Sequence, residues 1–157
     1  MPKHINKKVV ASNRKARFNY DIKKTYLAGI VLRGYEVKSC INGQINIKNS
    51  YVRINKGEAW LINSHITKWK FASLNDYDPE RKRKLLLTAS EIRQLSLFQN
   101  TKKMSIIPLK VFLIGSRIKV KIGVGKGRKK YDKRAKIREK EMKRDLKEQL
   151  GRVKKFT

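Results

Sequence analysis

The 157-residue chain offers few side chains for acid–base or covalent chemistry. It has one cysteine, two histidines and 12 acidic residues. Between residues 25 and 125 the acids are only Glu36, Glu58, Asp76, Asp78, Glu80 and Glu91. Thr88-Ala89-Ser90-Glu91 has the spacing of a helix capping box, which commits Glu91 to backbone donors. Asp76-Tyr77-Asp78-Pro79 is turn-prone; its two carboxylates could hold a cation, but solvated loop acids are the commoner use of such a pair. His65 ends an apolar run with no Cys or Asp partner standing out for nucleophilic work, so it reads as a satisfied structural histidine. Cys40 falls on the apolar side of a short helical pattern and reads as core. A lone cysteine forms no intramolecular disulfide and fits a reducing cytosol; with two well-separated histidines it makes a poor zinc site. Gly123-Val124-Gly125-Lys126-Gly127-Arg128 is glycine-rich like a phosphate loop but lacks the G-x-x-x-x-G-K-[ST] spacing, and reads as a hinge between a folded body and a tail. No catalytic residue, metal or cofactor is expected.

Cations carry the information instead. Lys and Arg total 41, giving a formal charge of +29. Such a charge strains a compact state by self-repulsion unless a polyanion relieves it. Nucleic acid and an anionic membrane are the natural candidates. No run of 18 apolar residues exists to span a bilayer, and no apolar h-region follows the first charges, so neither a membrane helix nor a secretory signal is expected. Three basic clusters stand apart. Asn13-Arg14-Lys15-Ala16-Arg17 leads into Phe18 and Tyr20, a mixture that suits RNA, where cations meet phosphate and rings stack on unpaired bases. Arg81-Lys82-Arg83-Lys84 enters Leu85-Leu86-Leu87. Lys126-Gly127-Arg128-Lys129-Lys130-Tyr131-Asp132-Lys133-Arg134 opens the tail. One such cluster would pass for a solvated loop; three together favour a nucleic-acid surface.

The elements that position these groups read mainly as β. Phe18, Tyr20 and Ile22 alternate with polar residues. Residues 27–32 form an apolar run, with Gly29 marking a bulge or sharp bend. Tyr51-Val52-Arg53-Ile54, then Asn55-Lys56-Gly57, then Ala59-Trp60-Leu61-Ile62 is strand, turn, strand. Ile107, Leu109, Val111 and Leu113 alternate before Gly115-Ser116, a type II′ turn. Ile118, Val120, Ile122 and Val124 return with Arg117, Lys119 and Lys121 between them, giving one apolar and one basic face. Val37, Cys40 and Ile41 mark a short helix stopped at Asn42-Gly43. A second helix runs from Thr88 to about Asn100, with Ile92, Leu95 and Phe98 facing the core. The predicted fold is mainly β: a small closed β-barrel of oligonucleotide-binding type with two or three short helices and a basic C-terminal tail. Residues 1–16 read as a basic N-terminal arm, 17–124 as the barrel and 125–157 as the tail.

In the tail, Met142, Leu146, Leu150 and Val153 fall on one helical stripe, and Glu139 and Lys143 are a favourably ordered i,i+4 pair. The stripe is narrow, Gly151 interrupts it, and like charge surrounds it. The tail is therefore expected to be disordered alone and helical on a polyanionic partner. A membrane-surface helix is the competing reading.

The chain resembles the family of SsrA-binding proteins, or small protein B, of bacterial trans-translation. The resemblance rests on Asn13-Arg14-Lys15-Ala16-Arg17; on Ala28-Gly29-Ile30 leading to Gly34-Tyr35-Glu36-Val37-Lys38-Ser39; on Asp78-Pro79; on Arg83-Lys84-Leu85-Leu86-Leu87; and on Lys126-Gly127 with Tyr131-Asp132-Lys133-Arg134. It runs over nearly the whole length. It implies a cytoplasmic, non-enzymatic adaptor that binds the tRNA-like part of transfer-messenger RNA and enters stalled ribosomes with it. By carry-over, Asn13, Lys15, Arg17, Tyr20, Lys84 and Leu86 are candidates for the RNA face, with Lys126, Arg128 and Lys129 as phosphate contacts. Tyr131, Asp132, Lys133 and Arg134 would lie at the decoding site of the small-subunit rRNA, and Met142, Leu146, Leu150 and Val153 along the mRNA path. The family usually has Glu immediately before the Ala-Gly of the second strand; here that position is Leu27, so either the RNA partner has changed or a neighbour replaces the acceptor. A structural ribosomal protein, a small nuclease or RNA-modifying enzyme, and a generic single-strand binder are the rival functions. No long apolar surface stripe demands a dimer, so a monomer is expected, without a membrane partner.

Overall fold

The computed structural model describes residues 6–71, 75–101 and 103–154, with backbone alone for 130–132 and 152–154. Among the described residues nine strands and four helices follow one another: β1 Lys7–Ser12, α1 Ala16–Asn19, β2 Tyr20–Ile30, α2 Gly34–Ile41, β3 Ile45–Asn46, β4 Tyr51–Asn55, β5 Glu58–Ile62, β6 His65–Ile66, β7 Arg83–Leu86, α3 Ala89–Gln99, β8 Met104–Ile114, β9 Arg117–Gly127 and α4 Lys130–Lys154. Seven strands form one antiparallel sheet in the order β1-β8-β9-β2-β7-β5-β4, and β3 pairs with β6 apart from it. The chain divides into two compact units, 1–127 and 128–157.

The two predicted hairpins form. Asn55 pairs with Glu58, and the intervening Lys56 and Gly57 both take positive φ, 51° and 74°, the backbone of a type I′ turn. Gly115 alone takes positive φ between Ile114 and Arg117, as a type II′ turn requires. The capping box also forms: Glu91 N–H donates to Thr88 Oγ1, and Thr88 N–H donates back to the Glu91 carboxylate.

Four sequence expectations change. Lys7–Ser12 is no loose arm; it is an edge strand on β8, with register Lys7↔Ile114 to Ser12↔Lys110. Its mostly exposed face hid it from hydropathy, and lysines at an edge discourage pairing with another chain. Phe18 lies in the single-turn α1, so β2 begins at Tyr20. The β2 irregularity falls between Ile22 and Lys24, not at Gly29. In β8 the register shifts between Pro108 and Lys110. The extra residue reverses the alternation, so the apolar series divides between two faces of the sheet. Ile106 and Val111 join the main core with Val120, Ile122, Val124, Leu61, Leu85 and Leu95. Ile107 and Leu109 turn to the other face, where Ala16 of α1, Tyr20 and Ile22 cover them.

The sheet curls like a barrel but does not close by hydrogen bonds. Its ends are β1 and β4, and β4 pairs only with β5. β4 approaches β8 to within 8 Å between Cα atoms but forms no ladder with it. The side-chain amide of Gln99, the last residue of α3, occupies β4's free edge. Ile54 N–H donates to Gln99 Oε1 at 2.7 Å, and Gln99 Nε2 donates to Ile54 O at 3.0 Å. One carboxamide thus stands in for one residue of the missing strand.

Candidate nucleic-acid interface

The sheet face opposite the main core is covered at one end and bare at the other. Its covered end holds the glycines read as a hinge. Gly123 and Gly125 lie inside β9, and a Cβ on Gly125 would stand 2.7 Å from the carbonyl oxygen of Asp21, while one on Gly123 would stand 2.9 Å from Leu109 Cδ1. These residues are glycine because the β2 backbone and the Ile22–Leu109 cluster press on them. β9 continues to Gly127, opposite Tyr20.

At the bare end, cross-strand register builds two rows. Val9, Phe112, Lys119, Gly29 and Leu86 stand side by side across five strands, and Ser12, Lys110, Lys121 and Leu27 across four. No acid stands in either row. Leu27 is 48% and Leu86 54% exposed, apolar surface that a sheet ordinarily buries. Gly29 keeps the floor between them low, since a Cβ there would meet Leu86 Cβ at 3.2 Å and Lys119 Nζ at 3.5 Å. Lys7 lies over the Phe112 ring, its Nζ 4.0 Å from the centroid. Leucines ringed by Lys110, Lys119 and Lys121 offer cations for phosphates and a flat apolar patch for ribose or an exposed base.

The sequence candidates do not all gather here. Leu86 does. Lys84 follows on β7, with its Nζ on Glu58 at 3.1 Å. Asn13, Lys15, Arg17, Tyr20 and Lys126 collect at the other end of β2, around α1: Tyr20 pairs with Gly127 and Asp21 with Lys126. Asn13 is fixed there by its N–H on Leu109 O at 2.8 Å and its Nδ2 on Pro108 O at 3.2 Å. Nine residues of strand separate Tyr20 from Gly29, about 30 Å at ~3.3 Å per residue. A single partner touching both groups must span about 30 Å. Lys110, Lys119 and Lys121 complete the bare end. The alternation of Arg117, Lys119 and Lys121 is the sequence signal for a basic face; Lys110 lay hidden behind the β8 bulge.

In the Arg81–Lys84 cluster, Arg81 and Arg83 are architectural. Arg83 is fully buried: Nε donates to Glu36 Oε2 at 2.7 Å, Nη1 to Ser64 O and Oγ at 3.0 Å, and Nη2 to Pro79 O at 3.0 Å. Arg81 also bonds Glu36. Burial pushes the Glu36 carboxyl up, but the Arg33 N–H and the two guanidiniums outweigh it and hold it below its ordinary range. Of the other reactive groups, Cys40 is buried and its thiol is pushed up to about 12 by desolvation. His65 is half exposed, with Nδ1 3.9 Å from Glu80. Asp78 accepts the Glu80 N–H in a local turn. Among the described residues no group of three His, Cys, Asp or Glu could hold a metal ion.

In the second unit, α4 carries Met142, Leu146 and Leu150 at 72%, 59% and 56% exposure. Glu139 and Lys143 pair at 3.2 Å. Lys133 and Arg134 lie in its first turns, while the side chains of Tyr131, Asp132 and Val153 fall outside the described residues. Among the described residues no helix is long and apolar enough to cross a membrane.

The sequence matches the SmpB protein family over residues 10–152. The chain belongs to the SmpB family. An SsrA-binding protein of Oceanobacillus iheyensis is 49% identical over 93% of this chain and 94% of its own length. One of Persephonella marina is 48% identical over 94% and 97%. A solved structure described as "tmRNA-SmpB: a journey to the center of the bacterial ribosome" superposes with a TM-score of 0.65 at 36% identity, covering 82% of this chain and 94% of that one. The SmpB match takes in β2, β7, the bare rows from Val10 onward and nearly all of α4, so body and tail belong to one family unit.

Proposed function

We propose that this chain is a non-enzymatic adaptor that binds the tRNA-like part of transfer-messenger RNA and delivers it to stalled ribosomes for trans-translation. The observation that carries this reading is the basic face of Leu27, Leu86, Lys110, Lys119 and Lys121, whose two cross-strand rows hold no acid, on a chain of the SmpB family. A rigid sheet presenting cations around exposed leucines suits a folded RNA recognised by shape, ribose and stacking. Lys84 extends this contact, and Leu27, at the position where the family resemblance leads one to expect Glu, makes an apolar contact in place of an acceptor. Asn13, Lys15, Arg17, Tyr20 and Lys126 form a second contact around α1, about 30 Å away along β2, and Arg128 and Lys129, at the start of the second unit, add phosphate contacts of their own.

The tail acts separately. Tyr131, Asp132, Lys133 and Arg134 engage the decoding site, and Met142, Leu146, Leu150 and Val153 line the mRNA path. A helix with its apolar stripe in water and cations all round is marginal, so the rRNA supplies most of its order. The adaptor works in the cytoplasm as a monomer, without a cofactor. Four of the six acids between residues 25 and 125 are engaged in structure, which supports a non-catalytic role: Glu36 is spent on Arg81 and Arg83, Glu91 on the Thr88 cap, Glu58 on Lys84 and Asp78 on a turn.

The test is to recover the protein from cells and sequence the RNA bound to it. One dominant tRNA-like species is expected; a broad spread of unstructured RNAs would replace this reading with a general single-strand binder. Binding should also weaken steeply between about 50 and about 200 mM salt as phosphate contacts release counterions.

A further inference from the structure

The unclosed seam between β4 and the first half of β8 is a cleft of about 560 Å³, lined by Ser50, Tyr51, Val52, Arg53, Ile106 and Tyr20 among others. Three sets of hydrogen-bonding groups meet there without partners among the described residues. On β4, Ile54 turns its N–H and C=O away from β5 to the Gln99 amide. Val52, two residues earlier on the same strand, turns its own pair the same way, into the cleft. On β8, Pro108 points its carbonyl away from β9, to Asn13 Nδ2. Ile106, two residues earlier, faces the same side, beyond the end of β1, whose last residue, Ser12, pairs with Lys110. The third group is the Ser50 hydroxyl, 95% buried with its residue and without a hydrogen-bond partner among the described residues. Unmet buried groups of this kind cost free energy unless something occupies the space.

Gln99 shows what fits. Its planar amide offers one acceptor and one donor side by side, and together they satisfy the N–H and C=O of one residue. The hydrogen-bonding edge of a nucleobase carries the same adjacent pair. We infer that the β4–β8 seam is a binding site for one unpaired nucleobase of RNA, held by the Val52 N–H and C=O as Gln99 is held by Ile54. Tyr20 and Tyr51 line the cleft as rings for stacking, and Lys48 and Arg53 supply cations for the flanking phosphates. Backbone groups accept any base that turns a donor–acceptor edge toward them, so the site holds a nucleotide in place without reading its identity closely. The inference rests on the adaptor reading above and adds a contact remote from the Leu27–Leu86 face.

The test uses the full-length protein, amide NMR and probes of stated chemistry. Adenosine 5′-monophosphate should shift the Val52 and Ile106 amide resonances. N6,N6-dimethyladenosine 5′-monophosphate, which lacks the donor, and inorganic phosphate should leave them in place. Pentaadenylate should bind at least tenfold more tightly than the mononucleotide, because neighbouring phosphates reach Lys48 and Arg53; equal affinity would make a free nucleotide the occupant and overturn the RNA assignment. Tyr51→Ala should lose the mononucleotide response while its other resonances stay native. Absence of any shift at Val52 and Ile106 with adenosine 5′-monophosphate would also overturn the site. Because these probes contain no transfer-messenger RNA, the seam can fail while the adaptor reading stands.

Discussion

Arg83 donates Nε to Glu36 Oε2 at 2.7 Å, with both side chains almost wholly out of solvent. This pair ties α2 to β7, and the remaining Arg83 donors fasten the backbones of Ser64 and Pro79 to the same point. Loss of one partner leaves a buried charge without its counter-ion. Glu36→Gln or Arg83→Met should therefore lower unfolding stability by about 3–5 kcal/mol, read from urea midpoints. An exposed RNA-contacting arginine would instead leave the midpoint unchanged.

The same pair sets an acid limit. The Glu36 carboxyl is held below its ordinary 4.5 in the folded chain. Its contribution is complete above the unfolded value and is lost as pH falls through the folded one. The melting temperature of the wild type should hold steady from neutral pH down to about 5 and then fall more steeply than that of Glu36→Gln. Parallel curves for the two proteins would remove Glu36 as the cause.

Gly125 and Gly127 separate packing from hinge motion. A Cβ on Gly125 would collide with the Asp21 backbone, whereas one on Gly127 meets nothing within 4 Å. Gly125→Ala should cost about 1–3 kcal/mol of stability. Gly127→Ala should be neutral in the same denaturation experiment. Equal effects would show that β9 is not pressed against β2 there.

How far the sequence carried depends on whether a feature is local. The Thr88–Glu91 cap, the Gly115 turn and the basic alternation of Arg117, Lys119 and Lys121 arise within a few residues, and spacing alone reveals them. The β8 bulge does not. Nothing between Ile107 and Leu113 states that one residue is extra, because the shift is set by pairing with β9 and by Asn13 holding Pro108. β1 was missed because an edge strand buries too little to show a hydropathy pattern. Arg83 looked like its neighbours Lys82 and Lys84, and only the return of α2 brings Glu36 to it. The Leu27–Lys121 and Gly29–Leu86 juxtapositions are likewise products of register.

Lys119 and Lys121 should contribute to RNA affinity as phosphate contacts. Replacing either by Ala should reduce the slope of log affinity against log salt by roughly 0.7–0.9, with little change in melting temperature. Leu86→Asp should weaken binding through repulsion and loss of apolar contact, again without unfolding, since the side chain is more than half exposed. Filter binding to transfer-messenger RNA across salt concentrations checks both. An unchanged slope in both lysine variants would move the RNA off this face.

The body and tail should be separable at one defined place. β9 runs to Gly127, and Tyr20 and Asp21 take their ladder partners from Gly127 and Lys126. Ending the chain after Gly123 strips the start of β2 of these partners and should lower the melting temperature. Ending it after Gly127 removes only the second unit and should leave the melting temperature unchanged. That shorter chain should still bind transfer-messenger RNA, weakened by the loss of Arg128 and Lys129, yet fail to support tagging of peptides on stalled ribosomes. Replacing Leu146 and Leu150 by Ser in the full chain should give the same failure with RNA affinity intact, because both side chains are more than half exposed and await a partner. Circular dichroism of the isolated tail should show helix rising when polyanion is added. If the double-Ser chain tags peptides normally, the apolar stripe has no part in the ribosomal step, and the cations of α4 must act alone.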